Sequence, residues 1–222
     1  MLPNLKDKTI LDLGCGAGYM SRYFIENGAS KVVACDISQN MIDLAKKEDC
    51  KNIYYKVLPM EDISSINEKF DIVFSSLAFH YVKDFDKLIS DISNLLKPNG
   101  ILVFSQENPI ATAIVYPSTK EKHIEIDGKR YYLLSNYKNA GKRVVDWFDS
   151  EVIKYHRNFE IIINTLINNN LEIKEIKEPS ADENAIKLKP KLKYQYDRPY
   201  FLFVKALKKH WFNSMFFCLL ID

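Results

Sequence analysis

The segment Asp12-Leu13-Gly14-Cys15-Gly16-Ala17-Gly18 is composed for binding rather than for packing. Glycines are needed where a backbone turns tightly and must approach a ligand with no Cβ in the way. The segment follows an apolar run, Thr9–Leu13, and opens a helical pattern, so free N–H groups of a helix start stand behind it. Asp36 ends the next apolar run, where a carboxylate can accept hydrogen bonds from the vicinal hydroxyls of a ribose. Together these residues predict a ligand that carries a nucleoside.

The spacing narrows the choice. A dinucleotide loop reads GxGxxG, and its third glycine would fall where this chain has Tyr19; the third glycine here is Gly18. Asp12 stands two residues before the first glycine. A carboxylate there repels a pyrophosphate and favours an ammonium. The loop therefore suits the zwitterionic methionine end of S-adenosylmethionine better than a nicotinamide dinucleotide, whose oxidoreductase chemistry is the rival reading.

Further chemistry-bearing residues follow later apolar runs. His80 and Tyr81 come after Phe70–Ser76, and Glu107 and Asn108 come after Ile101–Ser105. The ordinary pKa of a histidine suits His80 to taking a proton from an acceptor, with a hydrogen-bonded structural histidine as the competing reading. Tyr81, Glu107 and Asn108 are candidate substrate contacts by position. Tyr131 and Tyr132 could wall a pocket or pack across a hairpin, and His156 and Arg157 read as helix entry and packing. The histidines show no HxH or HxxxH spacing and the four cysteines no CxxC pair. No metal site and no disulfide framework is expected, and free thiols in a reducing cytoplasm are the default.

The elements that must position these groups are short apolar runs alternating with helical patterns. Thr9–Leu13, Lys31–Asp36, Asn52–Val57, Phe70–Ser76 and Ile101–Ser105 read as strands. Between them come helices over Ala17–Asn27, after Ser38 as N-cap, and after Asp84, where Phe85, Leu88, Ile89, Ile92, Leu95 and Leu96 share one face until Pro98-Asn99-Gly100. This alternation predicts an α/β fold with a parallel sheet covered by helices on both faces, and it places ligands at the carboxyl ends of the strands. The rhythm breaks over Glu107–Ser150, where a hairpin turning at Asp127-Gly128 is expected. A helix through Phe159, Ile162, Ile163, Leu166 and Ile167 and two strands, Leu171–Lys177 and Tyr200–Ala206, complete the pattern. A polar loop holding Lys187, Lys189, Lys191 and Lys193 is read between those strands as solvated.

Length and composition fit this picture. The chain has 222 residues, 47% hydrophobic and 27% charged, enough for one domain with a sizeable core. A net charge of +2 gives no reason to expect nucleic acid as partner. No run of apolar residues is long enough for a membrane span, and the apolar tail His210–Asp222 reads as an extension of open role.

On ILDLGCGAGYMSRYF, ACDIS, PMEDI, FDIVFSSLAFHYV and LLKPNGILVFS, the sequence resembles the class I S-adenosylmethionine-dependent methyltransferases, type-11 subgroup. FSQENP, SEVIKYHRNFEIIINTLINNNLEI and DRPYFLFVKA extend the likeness over residues 5–207. The resemblance implies a Rossmann-like, doubly wound seven-stranded sheet with an antiparallel last strand, and transfer of a methyl group to a small-molecule acceptor. It assigns Asp12, Gly14, Gly16 and Gly18 to the methionine end, Asp36 to the ribose, and Ile37, the Met60 backbone and Glu61 to the adenine. Ser76 and Leu77 go to the cavity near the sulfonium. One domain is read over 1–207, with the long connection 107–150 as an insertion capping the substrate site and 208–222, which has no counterpart in the resemblance, as an apolar extension. Two departures stand out: Pro59 occupies a position where many relatives have aspartate, and the helices that relatives carry before the first strand have no counterpart ahead of Thr9. A truncated, inactive cofactor-binding domain, or a regulatory partner, is the alternative that the short N-terminus and the odd C-terminus raise; oligomeric state is left open.

Overall fold

The computed structural model describes residues 1–48, 50–113, 123–147 and 150–209. The tail His210–Asp222, with Cys218, lies outside the described residues. The chain runs β1 (Thr9–Leu13), α1 (Tyr19–Glu26), β2 (Lys31–Asp36), α2 (Gln39–Ala45), β3 (Ile53–Val57), β4 (Phe70–Ser76), α3 (Phe85–Leu95) and β5 (Leu96–Glu107). It continues through α4 (Pro109–Thr112), β6 (His123–Ile126), β7 (Lys129–Tyr132), β8 (Gly141–Trp147), β9 (Ser150–His156), α5 (Phe159–Asn168), β10 (Leu171–Lys177), α6 (Glu183–Leu188) and β11 (Phe201–Lys208).

Seven strands form one sheet in the order β10-β11-β5-β4-β1-β2-β3. β11 is antiparallel to both neighbours, and the pairs among β1 to β5 are parallel. The expected seven-stranded Rossmann-like sheet with an antiparallel last strand is what the chain forms. The chain moves from β1 outward to β2 and β3, then returns to the other side of β1 for β4 and β5. That reversal opens a crevice between the carboxyl ends of β1 and β4.

Side chains alternate between two apolar layers, as the pleat requires. Leu11, Leu13, Val73, Leu102 and Phe104 join the layer containing α3 and α5, whereas Ile10, Ile72, Phe74 and Val103 join the layer containing Phe24 of α1. By the same alternation Asp12 faces α1, beneath the glycine loop. Ser38 and Asp84 cap α2 and α3, accepting from Met41 N–H at 3.3 Å and Lys87 N–H at 3.0 Å.

Several boundaries differ from the sequence reading. α1 begins at Tyr19 rather than Ala17, because Gly16 and Gly18 hold positive φ angles that a helix cannot. β5 reaches Glu107, two residues past Ser105, because β11 pairs with it to the end through Phe201 and Glu107. The insertion contains the expected hairpin, with Asp127 and Gly128 both at positive φ, and also a second, β8–β9, that the sequence reading did not foresee. SEVIKYH forms β9, and Asn158 caps α5, so His156 and Arg157 stand at the helix entry as expected. The lysine-bearing loop is α6 followed by a 3-10 turn over Pro190–Gln195.

Candidate active site

The glycine loop sits directly on the crevice. An added Cβ at Gly14 would lie 2.7 Å from Ala78 Cβ and 2.8 Å from Met60 Cε, with φ at +71°. Only glycine leaves that space open. Gly18, at φ +76°, is backed by the Tyr55 ring of β3, whose oxygen would stand 2.4 Å from an added Cβ. The loop is thus pressed from behind and open in front.

Asp36 is fixed by two backbone donors. Gly16 N–H donates to Oδ2 and Ser38 N–H to Oδ1, each at 2.9 Å. These bonds aim the carboxylate and leave further lone pairs for hydroxyls. Asp12 is 1% exposed, and Ser21 Oγ–H donates to its Oδ2 at 2.6 Å. Burial pushes the Asp12 carboxyl up to about 7, opposed by the Ser21 hydrogen bond and aided by the nearby Asp36 charge.

A cavity of about 370 Å³ opens in front of the loop, lined by Gly14, Asp36, Ile37, Met60, Glu61 and Leu77, with Leu58, Ser76, Ala78, Tyr81 and Val82 completing the wall. Ile37 is 73% exposed, a large apolar side chain offered to a flat ligand face. Leu77 holds φ at +54°, a conformation costly for a branched side chain. Its N–H donates to the Ser105 carbonyl at 2.9 Å and approaches Ser105 Oγ at 3.1 Å. Ser105 also meets Ser76 Oγ at 3.4 Å. β5 therefore locks the turn that follows β4. Sequence reading overlooked Ser105 as well as Leu58, Ala78 and Val82; the position of Ser105 at a strand end was the one available signal.

The remaining site candidates separate. Tyr81 lines the cavity. Its neighbour His80 is buried and does not, and Glu107 N–H donates to His80 Nδ1 at 3.3 Å. The neutral ring then carries its proton on Nε2 and has no second lone pair for another proton. Burial holds its pKa down at about 4. Glu107 also takes an ion pair from Lys154 of β9, a buried lysine that sequence reading missed. Asn108 is turned away from chemistry: its Oδ1 accepts from Ile110 N–H at 2.9 Å, capping α4, and its Nδ2 donates to Glu178 at 2.6 Å. Its placement does not support the expected substrate contact. Arg157 donates to the carbonyls of Phe79 and Val82 and stacks over Phe85 at 4.8 Å, tying the end of β9 to the turn after β4. Gly16 and Gly18 shape the loop without lining the cavity.

The cradle fits an adenosyl group with an amino-acid end. The aimed Asp36 carboxylate, the apolar Ile37 and Met60 faces, and the open front of Gly14 line one cavity of about 370 Å³. The sequence comparisons agree with this geometry. Residues 11–104 match the methyltransferase domain family Methyltransf_11. A crystal structure of an S-adenosylmethionine dependent methyltransferase from Mesorhizobium loti superposes with a TM-score of 0.84 at 33% identity, covering 93% of each chain. The chain belongs to the class I S-adenosylmethionine-dependent methyltransferases, and its cofactor is S-adenosylmethionine. It is 38% identical over 219 residues to an uncharacterized protein of Haemophilus influenzae, covering 94% of this chain and 84% of that one. It is also 34% identical over 115 residues to a ubiquinone biosynthesis O-methyltransferase of Coxiella burnetii; that match takes in half of this chain and 49% of the relative. Among the described residues, no helix is long and apolar enough to cross a membrane.

Proposed function

We propose that the chain moves a methyl group from S-adenosylmethionine to a small-molecule acceptor held over the carboxyl ends of β4 and β5, in the cytoplasm. The observation that carries this reading is the joint geometry of the aimed Asp36 and the strained Leu77, which bracket one cavity at the switch between β1 and β4. The similarity to an O-methyltransferase supports an oxygen acceptor within that class.

The cofactor supplies an already activated methyl group. What the chain must add is position. Asp36 takes the ribose hydroxyls, Ile37, Met60 and Glu61 border the adenine, and Asp12 with Gly14, Gly16 and Gly18 receives the methionine end. Ser76 and Leu77 would line the cavity near the sulfonium, and Tyr81, on the same cavity wall, would face an acceptor. Holding two reactants in line can lower a barrier by about 7–11 kcal/mol with no covalent intermediate. His80 serves as a positioning residue in this reading rather than as the base: its Nδ1 fixes the Glu107 backbone and its ring lies 4.2 Å from the Tyr81 ring. In this reading the described hairpins β6–β7 and β8–β9 cap the acceptor side.

The test is calorimetry followed by transfer. S-adenosylhomocysteine should bind and a nicotinamide dinucleotide should not. Methyl-labelled S-adenosylmethionine incubated with a metabolite extract should then yield one labelled small molecule. Dinucleotide binding, or cofactor binding with no labelled product from any extract, would overturn the reading.

A further inference from the structure

The buried charges of this chain are unevenly distributed. Arg143, Lys154, Arg157 and Arg198 are all buried, and all lie in segments beyond β5; among the described residues the buried carboxylate is Asp12 of β1. Three of the four cations have spent their terminal nitrogens. Arg143 and Arg157 donate to backbone carbonyls, and Lys154 pairs with Glu107. Arg198 differs. It is 2% exposed, and its Nη2 donates to the Ala111 carbonyl at 2.7 Å, but Nε and Nη1 have no partner among the described residues. A buried guanidinium with most of its donors unspent is costly unless an anion meets it.

Its surroundings are built for that meeting. The Arg198 guanidinium stacks on the rings of Tyr132 and Tyr200, at 5.3 and 5.6 Å. The Tyr132 side chain interacts in turn with Tyr200 and with Arg130. Arg130 pairs through Nη2 with Glu125 at 3.0 Å, yet its own buried Nε is also without a partner. Arg198 and Arg130 therefore both meet Tyr132, Arg130 from its place over the Tyr194 ring at 4.3 Å. Glu125 is the carboxylate that reaches this group, through Arg130, and Glu178 is engaged by Asn108.

We propose that Arg198, with Arg130, Tyr132 and Tyr200, forms an oxyanion-binding subsite that holds the carboxylate or phosphate end of the methyl acceptor. The proposal rests on the methyltransferase reading above and adds the acceptor's charge class. Position supports it. Asn108 N–H donates to the Tyr200 carbonyl at 2.9 Å, which places the cluster at the carboxyl end of β5. Tyr200 stands just before β11, two strands from β4, which Leu77 follows, so its backbone lies about two strand spacings, roughly 10 Å, from the turn that borders the cavity. An extended acceptor can present one end to the methyl group and rest its anionic end here.

The test separates the two layers. In the full chain saturated with S-adenosylhomocysteine, the arginine Nε–H signals are followed by NMR while inorganic phosphate, or in a second arm acetate, is titrated at constant ionic strength. The expected result is a saturable shift of the Arg198 Nε–H signal, lost in Arg198→Met and in Tyr132→Phe/Tyr200→Phe, with unchanged S-adenosylhomocysteine affinity. The stronger arm identifies phosphate or carboxylate. In the transfer assay the labelled product should be retained on an anion exchanger. Arg198→Lys should raise the acceptor KM about 10–100-fold, the worth of one charge-assisted pair, while kcat changes little. A shift that is linear and shared by surface arginines, or a neutral or cationic product, would overturn the subsite. Failure to bind S-adenosylhomocysteine would instead refute the methyltransferase reading and leave the anion titration to be judged by itself.

Discussion

Replacing Asp12 by asparagine changes one ionisable group and little else, since Ser21 Oγ can donate to an amide oxygen in place of the carboxylate. In the wild type, burial raises the folded carboxyl from an ordinary 3.8 to about 7. The folded chain then keeps a proton that the unfolded chain has released. Stability from this group is complete below the unfolded value and is lost as pH rises through about 7. From about pH 5 to about pH 8, roughly two units of that retention are given up. At about 1.4 kcal/mol per unit this is about 3 kcal/mol. Urea unfolding at both pH values should show wild-type stability falling by that amount relative to Asp12→Asn, the other titrations cancelling in the difference. A cofactor ammonium beside Asp12 favours the ionised form, so binding should expel the proton. S-adenosylhomocysteine affinity should then rise with pH through about 7, and the binding heat should vary with the ionisation enthalpy of the buffer. In Asp12→Asn both effects should vanish. Equal pH slopes in the two proteins would refute the reasoning.

Asp36→Ala should lose two charge-assisted hydrogen bonds to the ribose, each worth about 1.5–3 kcal/mol, and so weaken S-adenosylhomocysteine binding about 100-fold or more by calorimetry. Gly14→Ala places a methyl group against Ala78 and Met60 at positive φ; thermal unfolding should show a loss of about 1–3 kcal/mol together with lost binding. Gly16→Ala, with nothing within 4 Å, should show only a backbone cost of about 1–2 kcal/mol in its unfolding curve. His80 runs opposite to Asp12: burial lowers its pKa to about 4, so the unfolded chain protonates first as pH falls. Its stability contribution, present above about 6.5, should be lost as pH drops through about 4; His80→Gln should lack that acid sensitivity and keep cofactor affinity.

Local chemistry made much of this protein legible in its sequence. Glycines at Gly14, Gly16 and Gly18 between an apolar run and a helix, and Asp36 at the next strand end, declare their geometry because backbone freedom and strand position are local properties. The period of the apolar residues likewise determined the five parallel strands and the face of α3. Other features depended on contacts distant in the chain. Whether a residue after a strand reaches the cavity or turns from it depends on what packs behind it. Tyr81 faces the cavity, whereas His80 is drawn under it by the Glu107 backbone, 27 residues on. Asn108 is claimed by Glu178, 70 residues on. Ser105 acts through Leu77, and Lys154 through Glu107, so neither could be recognised from its own neighbours. The β8–β9 hairpin has no compact turn signal of the Asp127-Gly128 kind, and only its pairing reveals it. The sequence alone determined which ligand class the crevice takes; only the tertiary structure decided which side chains stand in it and which are held behind it, because burial and long-range pairing assign each polar group its partner.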